Sequence, residues 1–217
     1  MGLPILQGYG LTECAAVATA NLPDQRRAGT VGRPLGSMQV RVVDGELQLK
    51  GRAVMRGYHG SPADEGLVDG WFATGDLASI EDGFVRITGR AKEILITAGG
   101  KNIAPAPIES AVKARCGLLQ EVVLLGDGRP TCMALVTLDP EALAARGLKA
   151  SDPAVREGIE AAVQAVNAGL ARHETIKGFA VLPRPFTIEG GELTASQKVK
   201  RAVVIERNAP VIEQLYG

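Results

Sequence analysis

Apolar and polar positions alternate with a period of two along residues 46–50 (Glu-Leu-Gln-Leu-Lys), the pattern of a strand with one face inward. Residues 38–43 alternate in part, and Asp44-Gly45 between the two segments predicts a hairpin. Residues 84–88 read as a further short strand, introduced by a turn at Glu81-Asp82-Gly83. Strands this short and this closely spaced predict a small sheet or barrel up to about residue 90.

Beyond residue 90 the texture changes. Residues 93–97 read as a buried strand stopped by Gly99-Gly100, and residues 107–114 as a short helix. Two apolar runs, 121–125 and 131–138, flank turn residues 126–130 and predict an antiparallel pair. Ser151-Asp152-Pro153 has the marks of a helix start, a capping side chain followed by Pro at the first helical position. Val155, Ile159, Val163, Val166 and Leu170 then recur at helical spacing and give one buried face. A short strand over 179–182 ends at Pro183, and a last helix over about 199–215 is interrupted before Pro210. No repeat or low-complexity linker intervenes, so the simplest division lies near Arg90-Ala91-Lys92. The expected fold class is α+β. A short-stranded β subdomain over residues 1–91 precedes a small α+β domain over 92–217, with a sheet of about three strands and flanking helices.

Composition narrows what such a chain does. Of 217 residues 46% are hydrophobic, enough for a core, but only 4% are aromatic, so aliphatic packing dominates. The 24 basic and 24 acidic side chains cancel and leave no overall field to gather nucleic acid or an anionic membrane. An anionic ligand therefore has to be held by a local site. Cys14, Cys116 and Cys132 are widely spaced and form no CxxC pair, which excludes a disulfide framework or zinc ribbon and suits a reducing compartment. The opening residues have neither a basic signal-peptide start nor a myristoylation pattern, and no apolar run approaches the ~18–20 residues that span a bilayer. A soluble, cytoplasmic chain is expected. His59 and His173 are isolated, with no metal-ligand spacing and no basis for a Ser-His-Asp arrangement.

Four stretches carry candidate chemistry. In Gly8-Tyr9-Gly10-Leu11-Thr12-Glu13, two glycines permit close backbone approach to a ligand and Tyr9 offers a stacking face. The Thr12 hydroxyl beside the Glu13 carboxylate suits a phosphate oxygen together with Mg²⁺; the plainer reading is a strand-end turn with an N-cap Thr. In residues 71–77, Asp76 after a Gly turn is able to accept two hydrogen bonds from a diol, or else is a turn Asp satisfied by its own backbone. Trp71 and Phe72 read as core. In residues 88–102, Arg90 and Lys92 at the start of a buried strand read as ribose or phosphate ligands, a pivot, or solvated strand ends. Gly99-Gly100-Lys101 lacks the earlier Gly and following Ser/Thr of a P-loop. In residues 190–201, a Gly-containing loop delivers Lys198, a candidate stabiliser of phosphate charge, unless Lys198, Lys200 and Arg201 are only a solvated basic face.

The order of these stretches resembles the C-terminal part of the acyl-adenylate-forming ligases: acyl-CoA synthetases, luciferases and nonribosomal adenylation domains. The ending Gly-Gly-Glu-Leu-Thr-Ala-Ser-Gln-Lys-Val-Lys-Arg is most similar to that of bacterial long-chain fatty acid–CoA ligases. The resemblance implies that an acid and ATP give an acyl-adenylate and pyrophosphate, after which the CoA thiol attacks. It implies that Tyr9, beside Gly10, packs on adenine, Thr12 binds the α-phosphate and Glu13 holds Mg²⁺. Asp76 and Arg90 then bind the ribose hydroxyls. Lys92 becomes the hinge on which a mobile C-terminal domain turns between half-reactions, Gly99 and Gly100 line the pantetheine path next to Lys101, and Lys198 reaches the carboxylate and α-phosphate during adenylation. Asn102 stands where many members have Gln or Arg.

The family's Lys-containing phosphate loop and most of its acyl pocket precede the first of these motifs and are not among these residues. The chain thus reads as the last third of a ligase, incomplete alone, with carboxylic or fatty acid, ATP and CoA as small-molecule partners and the missing N-terminal part as a protein partner. The competing readings are a non-catalytic binding module derived from the family, and a ligase of another subclass, either aryl-CoA or carrier-protein loading.

Overall fold

The computed structural model describes residues 3–60 and 66–217. The opening Met1 and Gly2, part of the signal and myristoylation reading, lie outside them. The chain folds as two compact units, Met1–Glu93 and Ile94–Gly217.

In the first unit, β1 (Gly8–Tyr9), β2 (Thr19–Ala20) and β3 (Arg33–Pro34) make a small antiparallel sheet. A larger antiparallel sheet joins β4 (Gln39–Val43), β5 (Glu46–Lys50), β6 (Leu67–Val68), β7 (Trp71–Glu81) and β8 (Phe84–Arg90). The Asp44-Gly45 hairpin forms as the sequence predicts, both residues at positive φ (+50° and +83°), and Asp82-Gly83 repeats the geometry (+50° and +79°). The alternation in β5 places Leu47 and Leu49, both fully buried, beside Val85, Met38 and Cys14 in the core of this unit.

Strand β7 is the element the sequence pattern conceals. Its first residues lie between β5 and β6, and its second half pairs with β8. Glu46 faces Leu77 while Gln48 faces Ala73, so β7 carries extra residues at Thr74-Gly75-Asp76. Gly75 takes φ +74°, a left-handed position open to Gly at no steric cost. Asp76 therefore sits in a bulged strand and not, as expected, after a tight turn.

The second unit opens with β9 (Leu95–Ile96) against β10 (Asn102–Ile103). The buried strand expected over 93–97 shortens to these two residues, because residues 91–93 form a 3₁₀ turn and Ile96 is 53% exposed. Next come α1 (Pro105–Arg115), β11 (Leu119–Leu125), β12 (Cys132–Leu138), α2 (Pro140–Ala145), α3 (Pro153–Asn167), β13 (Ile176–Val181), α4 (Arg201–Arg207) and α5 (Ala209–Tyr216). Strands β11 and β12 pair antiparallel and β13 joins β12 in parallel, the return leg running through α2 and α3. The two apolar runs are explained by burial on both faces. Val122, Leu124, Ala134 and Val136 pack with Ile108 and Val112 of α1 and Val155, Ile159 and Val163 of α3. Val123, Leu125 and Leu135 pack with Val204 of α4 and Ile212 of α5.

Helix α3 starts at Pro153 as predicted, but the Asp152 carboxylate accepts the Lys149 N–H at 2.8 Å instead of capping the helix. Leu170 lies beyond the helix and packs from the following turn. The last helical stretch is broken at Asn208, ahead of Pro210. Among the described residues no helix is long and apolar enough to cross a membrane.

Candidate functional site

In the first unit three predicted site residues meet. The Asp76 carboxylate, 8% exposed, accepts the Tyr9 hydroxyl at 2.6 Å on one oxygen and Arg90 Nε at 2.8 Å on the other. Pairing between β7 and β8 sets Asp76 directly opposite Arg90, and β1 delivers Tyr9. Burial and the Asp76 hydrogen bond, in that order, raise the Tyr9 phenol above its ordinary value, so it stays a donor. The Arg90 side chain is half exposed and uses only Nε toward Asp76. A turn Asp satisfied by its own backbone is not what forms.

Beside this trio is an open depression of about 560 Å³ lined by Glu13, Glu46, Tyr58, Thr74, Arg90 and Lys92, among others. Glu13 lies in a 3₁₀ turn, Thr12–Cys14, directly after β1. Its Oε1 accepts the Tyr58 hydroxyl at 2.9 Å and its carbonyl accepts the Met55 N–H at 2.7 Å. The residue at the cap position of this turn is Leu11; Thr12 is the first residue inside it, with its side chain exposed. Cys14 is buried beneath, its thiol bonding back to the Leu11 carbonyl.

Gly10 has a reason the motif did not suggest. A Cβ there would stand 1.6 Å from the Ala16 carbonyl oxygen, so the position is closed by the chain's own backbone. Close ligand approach is not what demands glycine at this residue. Gly8 is crowded to a lesser degree, a Cβ there standing 3.0 Å from the Thr19 carbonyl oxygen.

Arg90 ends β8 and Lys92 lies exposed in the 3₁₀ turn Ala91–Glu93, next to the division between the units. Neither starts a buried strand. Gly99, Gly100, Lys101 and Lys198 all belong to the second unit. Residues 97–101 form a tight turn in which the Thr97 N–H meets the Lys101 carbonyl at 3.0 Å and the Gly100 N–H meets the Thr97 carbonyl at 2.8 Å. Gly100 has φ +71° and its Cβ direction opens onto empty space.

Lys198 is exposed on a small hairpin closed by a bridge between Leu193 and Val199. Thr194 organises the tip: its N–H binds the Lys198 carbonyl at 2.8 Å, and its hydroxyl accepts the Lys198 N–H at 3.0 Å. The basic run at 198–201 is not one solvated face. Arg201 donates to Glu109 Oε1 at 2.6 Å and to the Leu124 carbonyl at 2.8 Å, whereas Lys198 and Lys200 are exposed.

Sequence reading assigned no role to Tyr58, Glu46 or Glu192. Glu46 Oε1 accepts the Gly75 N–H at 2.6 Å and holds the bulge beside Asp76. Glu192 lies within the Gly190-Gly191-Glu192-Leu193-Thr194 run, but its partners Arg184 and Arg207 flank it from separate segments. Trp71 is half-buried, with Arg41 stacked 4.2 Å from its ring, and Phe72 is core. Among the described residues no group of His, Cys, Asp and Glu is arranged to hold a metal by itself.

Residues 92–217 match the family model for the AMP-binding enzyme C-terminal domain, and residues 1–59 match that for the AMP-binding enzyme. The long-chain-fatty-acid–CoA ligase FadD15 of Mycobacterium bovis is 42% identical over 232 residues, covering 100% of this chain and 38% of that protein. The long-chain-fatty-acid–CoA ligase ACSBG1 of Mus musculus is 34% identical over 254 residues, covering 100% of this chain and 35% of its own length. The chain therefore spans little more than a third of these curated relatives. Among solved structures, the adenylation domain of a carboxylate reductase from Mycobacterium chelonae matches with TM-score 0.77 and 26% identity over 97% of this chain and 34% of that one. O-succinylbenzoate coenzyme A synthetase of Bacillus subtilis, in complex with ATP and magnesium ion, matches with TM-score 0.69 and 25% identity over 93% of this chain and 41% of that one.

Proposed function

The chain belongs to the AMP-binding enzymes, and on that premise we propose that it is the C-terminal portion of an ATP-dependent fatty acyl-CoA ligase. The reaction joins a carboxylate oxygen to the α-phosphorus of ATP, releasing pyrophosphate, and then transfers the acyl group to the CoA thiol, releasing AMP. The observation that carries this reading is the buried Asp76 carboxylate, gripped by Tyr9 and Arg90 beside the depression that Glu13 and Lys92 line.

A carboxylate oxygen holds more than one lone pair, so Asp76 retains acceptor capacity for ribose hydroxyls while bonded to Tyr9 and Arg90. The Arg90 Nη groups remain as donors to the same sugar. Tethering its hydroxyl to Asp76 fixes the Tyr9 ring, which then offers a face to adenine. The exposed Thr12 hydroxyl is a donor for the α-phosphate.

Glu13 suits Mg²⁺: one oxygen is held by Tyr58 and the other is left for a hard cation. A single carboxylate is what an ion that also binds phosphate oxygens and water requires, and Mg²⁺ there offsets phosphate charge. Lys92 is the pivot between the units, with residues 1–91 the end of the large AMP-binding domain and 92–217 the small mobile domain. The open space at Gly100, next to Gly99 and Lys101, serves the pantetheine arm. The Lys198 ammonium meets the charge that develops between carboxylate and α-phosphate. Because the 217 residues hold no Lys-containing phosphate loop, this reading assigns them no turnover on their own.

The test is fatty-acid-dependent exchange of pyrophosphate into ATP by the full-length protein. Stimulation by fatty acids, with Asp76→Ala raising the KM for ATP, is the expected result. Exchange stimulated only by aryl acids would move the protein to another subclass, and no exchange with any acid would favour a non-catalytic module.

A further inference from the structure

The hairpin that presents Lys198 is fastened on both sides by ion pairs. On its leading side Glu192 is a carboxylate only 2% exposed, and its residue opens the first arm of the hairpin. Its Oε1 accepts Arg184 Nη2 at 2.5 Å and Arg207 Nη1 at 3.0 Å, while Oε2 accepts the Thr187 N–H at 3.4 Å. Arg207 comes from α4, beyond the hairpin, and also donates to the Gly190 carbonyl. The Glu192 carbonyl in turn accepts the Lys200 N–H at 2.7 Å, which closes the base of the hairpin. On its trailing side Arg201 is locked to Glu109 of α1 and to the Leu124 carbonyl of β11, and Glu109 Oε1 also accepts the Leu124 N–H at 2.6 Å. Leu193 is buried and Val199 packs against the same apolar cluster.

This fastening exceeds what a surface turn of this size needs. Two backbone bonds and one hydroxyl already close the tip. A buried carboxylate between two guanidinium groups instead fixes the stem relative to the body of the unit, since losing a partner leaves a desolvated charge unpaired. Among the described residues the Lys198 ammonium has no ion-pair partner, so its reach depends on where the stem holds it.

We propose that Glu192 is a positioning residue for Lys198: through Arg184 and Arg207 it sets the hairpin stem, so that the ammonium travels with the whole unit as a rigid projection and not as a loose loop. The proposal rests on the adenylation role assigned above to Lys198. A displacement of about 1 Å in a group aimed at a reacting centre is enough to cost on the order of 10²-fold in rate, so loosening the stem should act on chemistry before it acts on folding.

The experiment is a double-mutant cycle in the full-length protein with Glu192→Gln, Lys198→Ala and the pair, each half-reaction assayed separately. The expected result is that Glu192→Gln slows acyl-adenylate formation about tenfold or more at unchanged KM for ATP and spares thioester formation from supplied acyl-adenylate. In the Lys198→Ala background it should then cost nothing further, because a residue that acts only through another is non-additive with it. Arg207→Gln, which leaves Arg184 on the carboxylate, should act in the same direction more weakly and replaces Glu192→Gln if that variant fails to fold. Additive losses, or equal losses in both half-reactions, would overturn the proposal while leaving the role of Lys198 intact. Full adenylation by Lys198→Ala alone would remove that role and the proposal together.

Discussion

A lysine ammonium is a compact charge on a flexible stem, and exposed Lys198 is offset from its neighbours by geometry as well as sequence. On the proposed function, Lys198→Ala in the full-length protein should slow acyl-adenylate formation roughly 10²-fold, about 3 kcal/mol of transition-state stabilisation, with thioester formation spared. Lys198→Arg should rescue poorly, since the guanidinium fork needs other partners. Lys200→Ala is the matched neutral control, with rapid-quench assays of the two half-reactions as the measurement. Arg201 cannot serve as a control, because its pairing with Glu109 makes it part of the fold. A pH effect belongs to Glu192. Hydrogen bonding from Arg184 outweighs desolvation and holds its carboxyl down at about 2, well below its ordinary 4.5. A depressed carboxyl stabilises the fold fully above its unfolded value, and that contribution is lost as pH falls from about 4.5 toward 2. The melting temperature of Glu192→Gln should therefore lie several degrees below that of the parent at pH 7, and the gap should close on acidification through this window, as read by circular dichroism. The meeting of Asp76 with Arg90 was half legible in the sequence, since both stood in candidate motifs. The grip on Glu192 was not, because Arg184 and Arg207 reach it only through packing of separate segments, and the same holds for the separate Glu109–Arg201 pair.

At the scale of elements, glycines that look alike in sequence part company. Gly10→Ala drives a Cβ into the Ala16 carbonyl and should disrupt the β1 turn, lowering soluble yield or unfolding the first unit. Gly100→Ala meets no atom and suffers only the left-handed backbone, about 1 kcal/mol. Gly100→Ala should leave a folded protein and, on the proposed function, a selective defect in thioester formation. Thermal melts together with half-reaction assays check both. The hairpins at Asp44-Gly45 and Asp82-Gly83 and the helix α3 were legible because turn chemistry and periodicity are local signals. Strand β7 was not, since its bulge breaks the alternation and its two halves serve different neighbours. The two-residue strands β1, β2 and β3 are too short to carry any period.

At the scale of the molecule, every described helix of the α type lies in the second unit and the single Trp71 lies in the first. In the 217-residue chain, helical dichroism and tryptophan fluorescence are therefore separate reporters. Ile159→Ala, which truncates a fully buried side chain of the second core, should cost about 2–5 kcal/mol and shift the helical transition. The fluorescence transition should stay in place; a common shift in both signals would mean that the units melt as one. On the proposed function, the three cysteines carry a practical consequence for following a turn of the small domain about Lys92. Cys14, Cys116 and Cys132 are all buried, out of reach of alkylating dyes, and burial also pushes the Cys132 thiol up to about 11, so its thiolate, the form such dyes attack, is scarce at neutral pH. These 217 residues are thus a silent background for maleimide chemistry. In the full-length protein, cysteines introduced at exposed Ala195 and Arg52 would take up a donor and an acceptor fluorophore with these three thiols left in place, and energy transfer between them would report the proposed domain swing in real time as ATP, acid and CoA are added in turn.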